Sequence, residues 1–337
     1  MNPVSCVLPS LLITLSVTTG RTQPFYPPTA NHALFEAGTG ERFFVGTVGN
    51  PWTTGMFGCV RSEGWQMHEG LDIRCLERDP HGEPTDPVLA TADGTVVYLS
   101  AKSSLSNYGN YIVLRHRVDG VEVYSLYAHL KRIRPDLTVG RNVRAGETIA
   151  TMGRTTNTRE GISKDRAHVH FELNLFVNDR FSTWYKKAFP HQRNDHGEWN
   201  GQNLLGLDSR LVLLDGRRQG TNFSLAKFIA KQTELCRVLV RATSFPWLKR
   251  YPGLIERNPV AEKEGVAGYE ISLNYNGVPF RLLPRAASEI TSPARFQLLS
   301  VNEPEYRKNP CRRLVLKHGD HWRLARNGEY LLDLLTY

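Results

Sequence analysis

HVHFELNLF, residues 168–176, is the stretch that decides the fold of this chain. Apolar and polar residues alternate in it, and aromatic and β-branched side chains are present, which favours a β-strand. Residues i and i+2 of a strand point to the same face of the sheet. His168 and His170 are therefore expected to stand side by side on one surface, with Glu172 following on the same face.

Two other stretches carry side chains of the same chemical kind. The first is HEGLD (His68–Asp72), in which Gly70 permits a turn that folds His68 and Asp72 around one point. The second is YAHL (Tyr127–Leu130), at the end of another predicted strand, where His129 can project over a groove.

Together, the three stretches supply four histidines and one aspartate in an order suited to a single catalytic zinc. Catalytic zinc sites use three protein ligands, such as two histidines and a carboxylate, and keep a fourth position for water. His68, Asp72 and His170 are the expected ligands, which leaves His129 and His168 to handle protons and developing charge. Each motif alone also fits an ordinary strand or a polar loop capped by Asp72, so the prediction rests on their combination.

About Val45 to Phe181 resembles the lysostaphin-type (LytM-like) zinc endopeptidases, which cut peptide cross-bridges of bacterial peptidoglycan. The family pattern H-x-G-x-D, Y-x-H and H-x-H occurs here in the same order, and three connecting stretches are also similar: DPVLATADGTVVYLS, NYGNYIVLRH and TVGRNVRAGETIATMG. The resemblance implies a zinc metalloendopeptidase with one Zn²⁺ per chain and a mainly antiparallel β fold.

The same resemblance implies that His129 and His168 are catalytic and do not bind the metal. It does not say which of the two is the general base. Glu172 is interpreted either as a group that orients a metal ligand or as a structural side chain, and Tyr127 either as part of the groove or as part of the core.

One segment departs from the family pattern. The family usually reaches H-x-H through a short G-x-T-G-x-S-x-G-P-H segment, whereas this chain has the longer, charged GRTTNTREGISKDRAHVH, with Ala167 where proline is common. Because that loop borders the groove in the family, three alternatives stay open: a secreted peptidase acting on a non-wall protein, a non-enzymatic regulator of a wall hydrolase, and a polymer-binding protein with vestigial chemistry.

Composition sets the broad class of the protein. The 337 residues are 40% hydrophobic, enough for a sizeable core and long enough for two domains. The formal net charge is +9, and residues 201–337 hold 21 lysines and arginines against 13 aspartates and glutamates. This excess favours anionic partners such as a cell-wall polymer or a membrane surface, or is only a solvated basic surface. No nucleic-acid-binding motif is present, so nucleic acid is not an expected partner.

The N-terminus indicates export. Residues 1–20 resemble a signal peptide with an apolar run from about Val7 to Val17, too short for a stable membrane span, and predict a secreted, periplasmic or cell-envelope protein of bacteria. The four cysteines that follow predict disulfides, for which Cys59–Cys75 and Cys236–Cys311 are the expected pairs.

The chain is thus expected to contain a mainly β peptidase domain with antiparallel sheets, followed by a small α+β C-terminal domain. The predicted order is an extended arm (21–49), the zinc metalloendopeptidase domain (50–195) and a basic module of unknown role (201–337). In the module, a helix is predicted at Ser224–Glu234, a strand at Cys236–Phe245, and hairpins at Asn276-Gly277 and Asn327-Gly328. His318 and His321 are expected at its surface, and the oligomeric state is not predicted.

Overall fold

A computed structural model describes residues 23–337 of the protein. The predicted signal peptide at residues 1–20 lies outside the described residues. Within residues 23–337, no helix combines the length and the apolar character needed to cross a membrane.

Short strands dominate the secondary structure of residues 23–337. In chain order the strands are β1 (Gly58–Arg61), β2 (Gln66–His68), β3 (Leu71–Arg74), β4 (Pro87–Leu89), β5 (Gly94–Ser100), β6 (Tyr111–Val118), β7 (Val121–Ala128), β8 (Arg132–Ile133), β9 (Asn142–Val143), β10 (Thr148–Thr151), β11 (His168–Phe176), β12 (Leu204–Leu207), β13 (Cys236–Val240), β14 (Gly268–Leu273), β15 (Pro279–Arg285), β16 (Phe296–Val301), β17 (Val315–His318) and β18 (His321–Leu324). The α-helices are α1 (Gly40–Phe43), α2 (Phe181–Ala188), α3 (Ser209–Gln219), α4 (Leu225–Ala230), α5 (Pro246–Arg250), α6 (Pro259–Glu264), α7 (Glu303–Lys308) and α8 (Arg326–Leu335).

A seven-stranded antiparallel sheet forms the centre of the first half of the chain. Its order is β12-β11-β7-β6-β5-β9, and β3 pairs with β11 as well. The predicted turn at Asp119-Gly120 joins β6 to β7, and both residues have positive φ, 52° and 76°. The expected mainly β domain with antiparallel sheets is therefore confirmed.

Strand β11 explains how the sheet assembles a site. One face of β11 sends Val169, Phe171 and Leu173 into the core, where each is fully buried. On the other face, His170 lies opposite Asp72 of β3 and opposite Ala128 of β7 in the antiparallel register. Because directly opposite residues of an antiparallel pair share a face, the register alone brings motifs 98 residues apart in the chain into contact.

The last part of the chain forms a four-stranded antiparallel sheet, β15-β14-β13-β16, with the separate hairpin β17-β18 and several short helices. The expected C-terminal α+β architecture is observed. Ser224 caps α4 through Lys227 N, as predicted, and the Asn276-Gly277 turn joins β14 to β15. The predicted hairpin at Asn327-Gly328 is wrong, because both residues lie in α8.

Gly328 has a packing role that explains this error. A Cβ atom at Gly328 would lie 2.2 Å from the carbonyl oxygen of Leu314, so glycine lets α8 approach the chain next to β17. The same dipeptide that favours a tight hairpin turn serves here as a close contact within a helix.

The C-terminal part packs directly against the main sheet. Strand β12, which follows the predicted domain boundary near residue 201, pairs with β11. The Asn276 side-chain amide donates to the carbonyl of Gly206 in β12 at 2.7 Å, and the Tyr251 hydroxyl accepts from Phe176 N at 2.8 Å.

The predicted cysteine pairs are wrong. The disulfide joins Cys59 to Cys311, while Cys75 and Cys236 are buried free thiols. Cys59 lies on β1 opposite Met67 of β2, whereas Cys75 follows β3, which pairs with β11. Nearness in sequence therefore does not bring Cys59 and Cys75 together, and the bridge instead ties the hairpin that carries His68 to the C-terminal part.

Replacing Cys311 by serine is expected to lower the free energy of unfolding by about 2–5 kcal/mol, because the bridge spans 252 residues and restricts the unfolded chain strongly. Urea unfolding followed by circular dichroism measures the change. The double variant Cys59→Ser/Cys311→Ser is the matched control and should be no less stable than Cys311→Ser, since both lack the same cross-link. A Cys311→Ser protein as stable as the wild type would contradict the prediction.

Candidate metal centre and groove

Three side chains converge on one point at the edge of the main sheet. His68 Nε2 lies 3.1 Å from Asp72 Oδ1 and 3.1 Å from His170 Nδ1, and His170 Nδ1 lies 2.9 Å from Asp72 Oδ1. All three residues are buried, and this group can hold a metal ion. These are the three residues predicted as ligands.

Gly70 makes this convergence possible, but not for the reason expected. Its φ is not positive, so it is not needed for a left-handed turn. A Cβ atom at Gly70 would lie 2.5 Å from the carbonyl oxygen of Phe171 and 2.9 Å from Cε1 of His170. Glycine is required because the HEGLD loop passes directly over β11.

The outer atoms of the three ligands are each held by a second group. His68 Nδ1 donates to the carbonyl of Met56 at 2.7 Å, and His170 Nε2 lies 2.7 Å from Glu172 Oε1. The remaining oxygen of Asp72 accepts from the Arg61 guanidinium at 2.6 Å. Such outer contacts fix the ring tautomers, so that His68 Nε2 and His170 Nδ1 present lone pairs to the centre.

Glu172 is the buried anchor of this outer shell. It also accepts from the Tyr108 hydroxyl at 2.8 Å and from the Asn174 side-chain amide at 2.7 Å. Burial would raise the pKa of Glu172, but the hydrogen bond from His170, with those from Asn174 and Tyr108, lowers it. Of the two interpretations of Glu172, the one in which it orients a ligand agrees with this geometry.

The charge state of the centre follows from the same contacts. Burial alone would raise the pKa of Asp72, yet the nearby His68 and His168 hold it well below its usual value. Burial would lower the pKa of His170, but its hydrogen bonds to Asp72 and Glu172 raise it to about 9. Without a metal, His170 is therefore protonated at neutral pH.

The other two predicted histidines lie next to the three ligands. The His129 and His168 rings are 4.8 Å apart between centroids. Their Nδ1 atoms donate to the carbonyls of Thr155 at 2.9 Å and Arg166 at 2.6 Å. His168 Nε2 lies 3.5 Å from Asp72 Oδ1, and burial lowers the pKa of both rings, so both are neutral near pH 7.

A groove of about 750 Å³ lies over these residues. The long loop that departs from the family pattern borders it, through Thr156, Glu160 and Arg166 among others. The loop is anchored from outside, because both guanidinium edges of Arg154 bond Glu83, at 2.8 and 2.9 Å.

Several groove residues were not found from the sequence. Arg61 and Tyr108 contact the ligand set, and Arg312 of the C-terminal part lies 3.4 Å from Glu69, the residue next to His68. The adjacent Cys311 was a signal for Arg312, had its partner been known. Tyr127 belongs to the core, where its hydroxyl accepts from Thr91 N at 2.8 Å.

His318 and His321 are both exposed, and neither belongs to the described metal centre. Their predicted position at the surface is confirmed.

Comparison with known sequences finds relatives of the groove region. The model of peptidase family M23 matches residues 66–181. Lipoprotein NlpD of Yersinia enterocolitica is 37% identical over 95 residues, which are 28% of this chain and 84% of that sequence. Murein hydrolase activator NlpD of Escherichia coli (strain K12) is 37% identical over 106 residues, 32% of this chain and 22% of that protein.

The chain thus spans only about a third or less of the length of several curated relatives. Among solved structures, the catalytic domain of the antimicrobial peptidase lysostaphin from Staphylococcus simulans is 25% identical, over 39% of this chain and 74% of that one, with a TM-score of 0.25.

Proposed function

The chain belongs to peptidase family M23, and from this premise we propose that it is a secreted or periplasmic zinc metalloendopeptidase that hydrolyses peptide cross-links of bacterial peptidoglycan. The observation that carries the proposal is the triangle of His68 Nε2, Asp72 Oδ1 and His170 Nδ1, with edges of 2.9–3.1 Å. The domain division near residues 195–201 and the binding of an anionic wall polymer by the basic C-terminal module are further parts of the proposal.

The donor set suits zinc. Two imidazole nitrogens and a carboxylate oxygen are the ligands of many catalytic zinc sites, and bonds of about 2.0–2.1 Å in a tetrahedron separate the donor atoms by roughly 3.3 Å. The observed edges need to widen only slightly. When bound, zinc lowers the pKa of its water toward 7 and polarises a carbonyl oxygen.

The protein's own residues then supply orientation and proton transfer. The Met56 carbonyl and Glu172 hold the two histidine ligands in place. His129 and His168 are neutral and have their Nδ1 protons engaged, so each Nε2 can accept a proton. One Nε2 takes the proton of the attacking water, and the other, once protonated, donates to the developing oxyanion. Both roles lie within this pair, and the proposal does not divide them.

The test combines zinc content with peptide release from purified peptidoglycan. About one zinc per chain is expected, with cleavage of cross-links that stops when the zinc is chelated and returns when zinc is restored. Zinc without cleavage of peptidoglycan would contradict the proposed substrate, and cleavage of a glycine-rich protein beside it would identify a non-wall peptidase. A protein that binds no zinc would contradict the proposed enzyme.

Zinc affinity is expected to rise by about tenfold per pH unit between pH 7 and pH 9, because the proton on His170 must leave before the metal binds. The sign follows from the raised pKa: below about 9 the proton competes with zinc, and above it the competition ends. Competition with a chromophoric chelator measures the affinity. In Glu172→Gln the dependence should end at a lower pH, and a wild-type affinity independent of pH over this range would contradict the prediction.

A second candidate function is activation of a separate murein hydrolase. The relative at 37% identity that carries the name murein hydrolase activator favours it. The variant His129→Ala separates the two, since it is expected to lack peptidase activity. Activation of a murein hydrolase by this variant would support the regulator, whereas an effect that disappears with His129 would support the peptidase.

A further inference from the structure

Arg166 is a groove residue with an unusual charge environment. It stands two residues before His168, at the end of the long loop, where the G-P-H of the family pattern has its glycine. Its Nε donates to the carbonyl of Gly46 at 2.9 Å, which fixes the guanidinium plane. Among residues 23–337, no carboxylate forms an ion pair with Arg166, and its two terminal nitrogens have no acceptor.

The other arginines of the groove are all neutralised. Arg61 pairs with Asp72 at 2.6 Å, Arg312 with Glu69 at 3.4 Å, and Arg193 with Asp195 at 2.5 Å. Glu160 lines the same groove, but it makes no ion pair with any described residue.

Arg166 is nonetheless close to the metal centre. Its side chain is partly buried, and burial lowers its pKa, an effect that the charge of Asp72 opposes and that of Arg61 increases. Its carbonyl oxygen accepts from His168 Nδ1. A partly desolvated cation without a counter-ion is unfavourable, and a ligand carboxylate would remove that penalty.

The free edge of the guanidinium also has the right shape for such a ligand. Two parallel N–H groups bind a carboxylate in a bidentate manner, which gives direction as well as attraction. A lysine at this position would offer the charge without the planar fork.

We propose that Arg166 binds a free carboxylate of the substrate peptide next to the metal centre, and thereby selects cross-links between peptides that carry such a carboxylate. This inference rests on the proposed peptidase function and names the substrate class for the same groove. Arg166 is then a specificity-determining residue and takes no part in proton transfer.

The experiment uses a cross-linked muropeptide dimer with free stem-peptide carboxylates and the same dimer with those carboxylates converted to amides. Wild-type kcat/KM is expected to be about 10- to 100-fold higher for the free dimer, the usual range for a charge-assisted hydrogen bond. Arg166→Gln should lose this preference by slowing cleavage of the free dimer while leaving the amidated dimer unchanged, and Arg166→Lys should keep part of it. Arg193→Gln, which alters a groove arginine that already has a partner, is the matched control and should keep all of it.

Binding gives a readout that does not need turnover. In the His129→Ala background, Arg166→Gln should weaken calorimetric binding of the free dimer about tenfold or more and leave that of the amidated dimer unchanged. An equal loss for both dimers would indicate a structural role through Gly46 and would overturn the inference. Wild-type cleavage of both dimers at equal rates would also overturn it while the proposed function stands, whereas cleavage of neither dimer would count against the proposed function itself.

Discussion

His129→Ala is expected to lower kcat by roughly 10²- to 10⁴-fold, the range for losing a positioned acid or base, while the protein keeps about one zinc per chain. The His129 ring contacts His168 and lies 6.0 Å from the His170 ring between centroids. None of its nitrogens bonds a member of the triangle of ligands. Removing the ring therefore deletes a proton carrier and leaves the three metal-binding atoms in place.

The backbone at His129 supports the use of alanine there. His129 has a φ of +62°, and its N–H donates to the carbonyl of Tyr108 at 2.8 Å. Alanine in the same left-handed conformation is strained to a similar degree, and the backbone bond stays available. The loss of activity should thus appear without a large loss of stability, which thermal unfolding would check.

The measurement is zinc by atomic absorption together with kcat on a cross-linked muropeptide dimer. His321→Ala, at an exposed histidine of the C-terminal part, is the matched control and should retain both values. If His129→Ala lost its zinc, His129 would be a ligand and the division of roles would be wrong.

The groove residues that sequence could predict share one property: they lie on a strand or beside a residue with an obvious pattern. The two-residue period of HVHFELNLF places His168 and His170 on one face, and the antiparallel register then brings Asp72 opposite His170. Glycine in HEGLD was also recognisable, although its close approach to Phe171 depends on the packed structure.

The residues that escaped prediction depend on contacts between distant parts of the chain. The partner of Cys59 is 252 positions away, and Arg312 reaches Glu69 only because that bridge and the packing of Asn276 against Gly206 hold the C-terminal part at the groove. No local pattern encodes such contacts. Asn327-Gly328 failed for the opposite reason, since a strong local turn signal was overridden by the packing of α8.

Asp72→Asn is expected to abolish stoichiometric zinc binding and, with it, peptidase activity. Asparagine keeps the shape of the side chain but removes the negative charge, so that two neutral imidazoles and an amide remain. It also leaves Arg61, which donates to Asp72 at 2.6 Å, without its counter-charge beside the metal. A dication in this pocket would then face an unpaired guanidinium, and both changes oppose binding.

The size of the effect can be ranked within the same site. Glu172→Gln removes only the outer partner of His170, a change that typically weakens metal affinity about 10- to 100-fold. Asp72→Asn should exceed that loss, because it alters an atom of the ligand triangle itself. Zinc affinity of both variants against the wild type, with circular dichroism to verify the fold, gives the order. If Asp72→Asn bound zinc as tightly as Glu172→Gln, Asp72 would be part of the outer shell, and the third ligand would have to be another residue, for which His168, 3.5 Å from Asp72, is the nearest candidate.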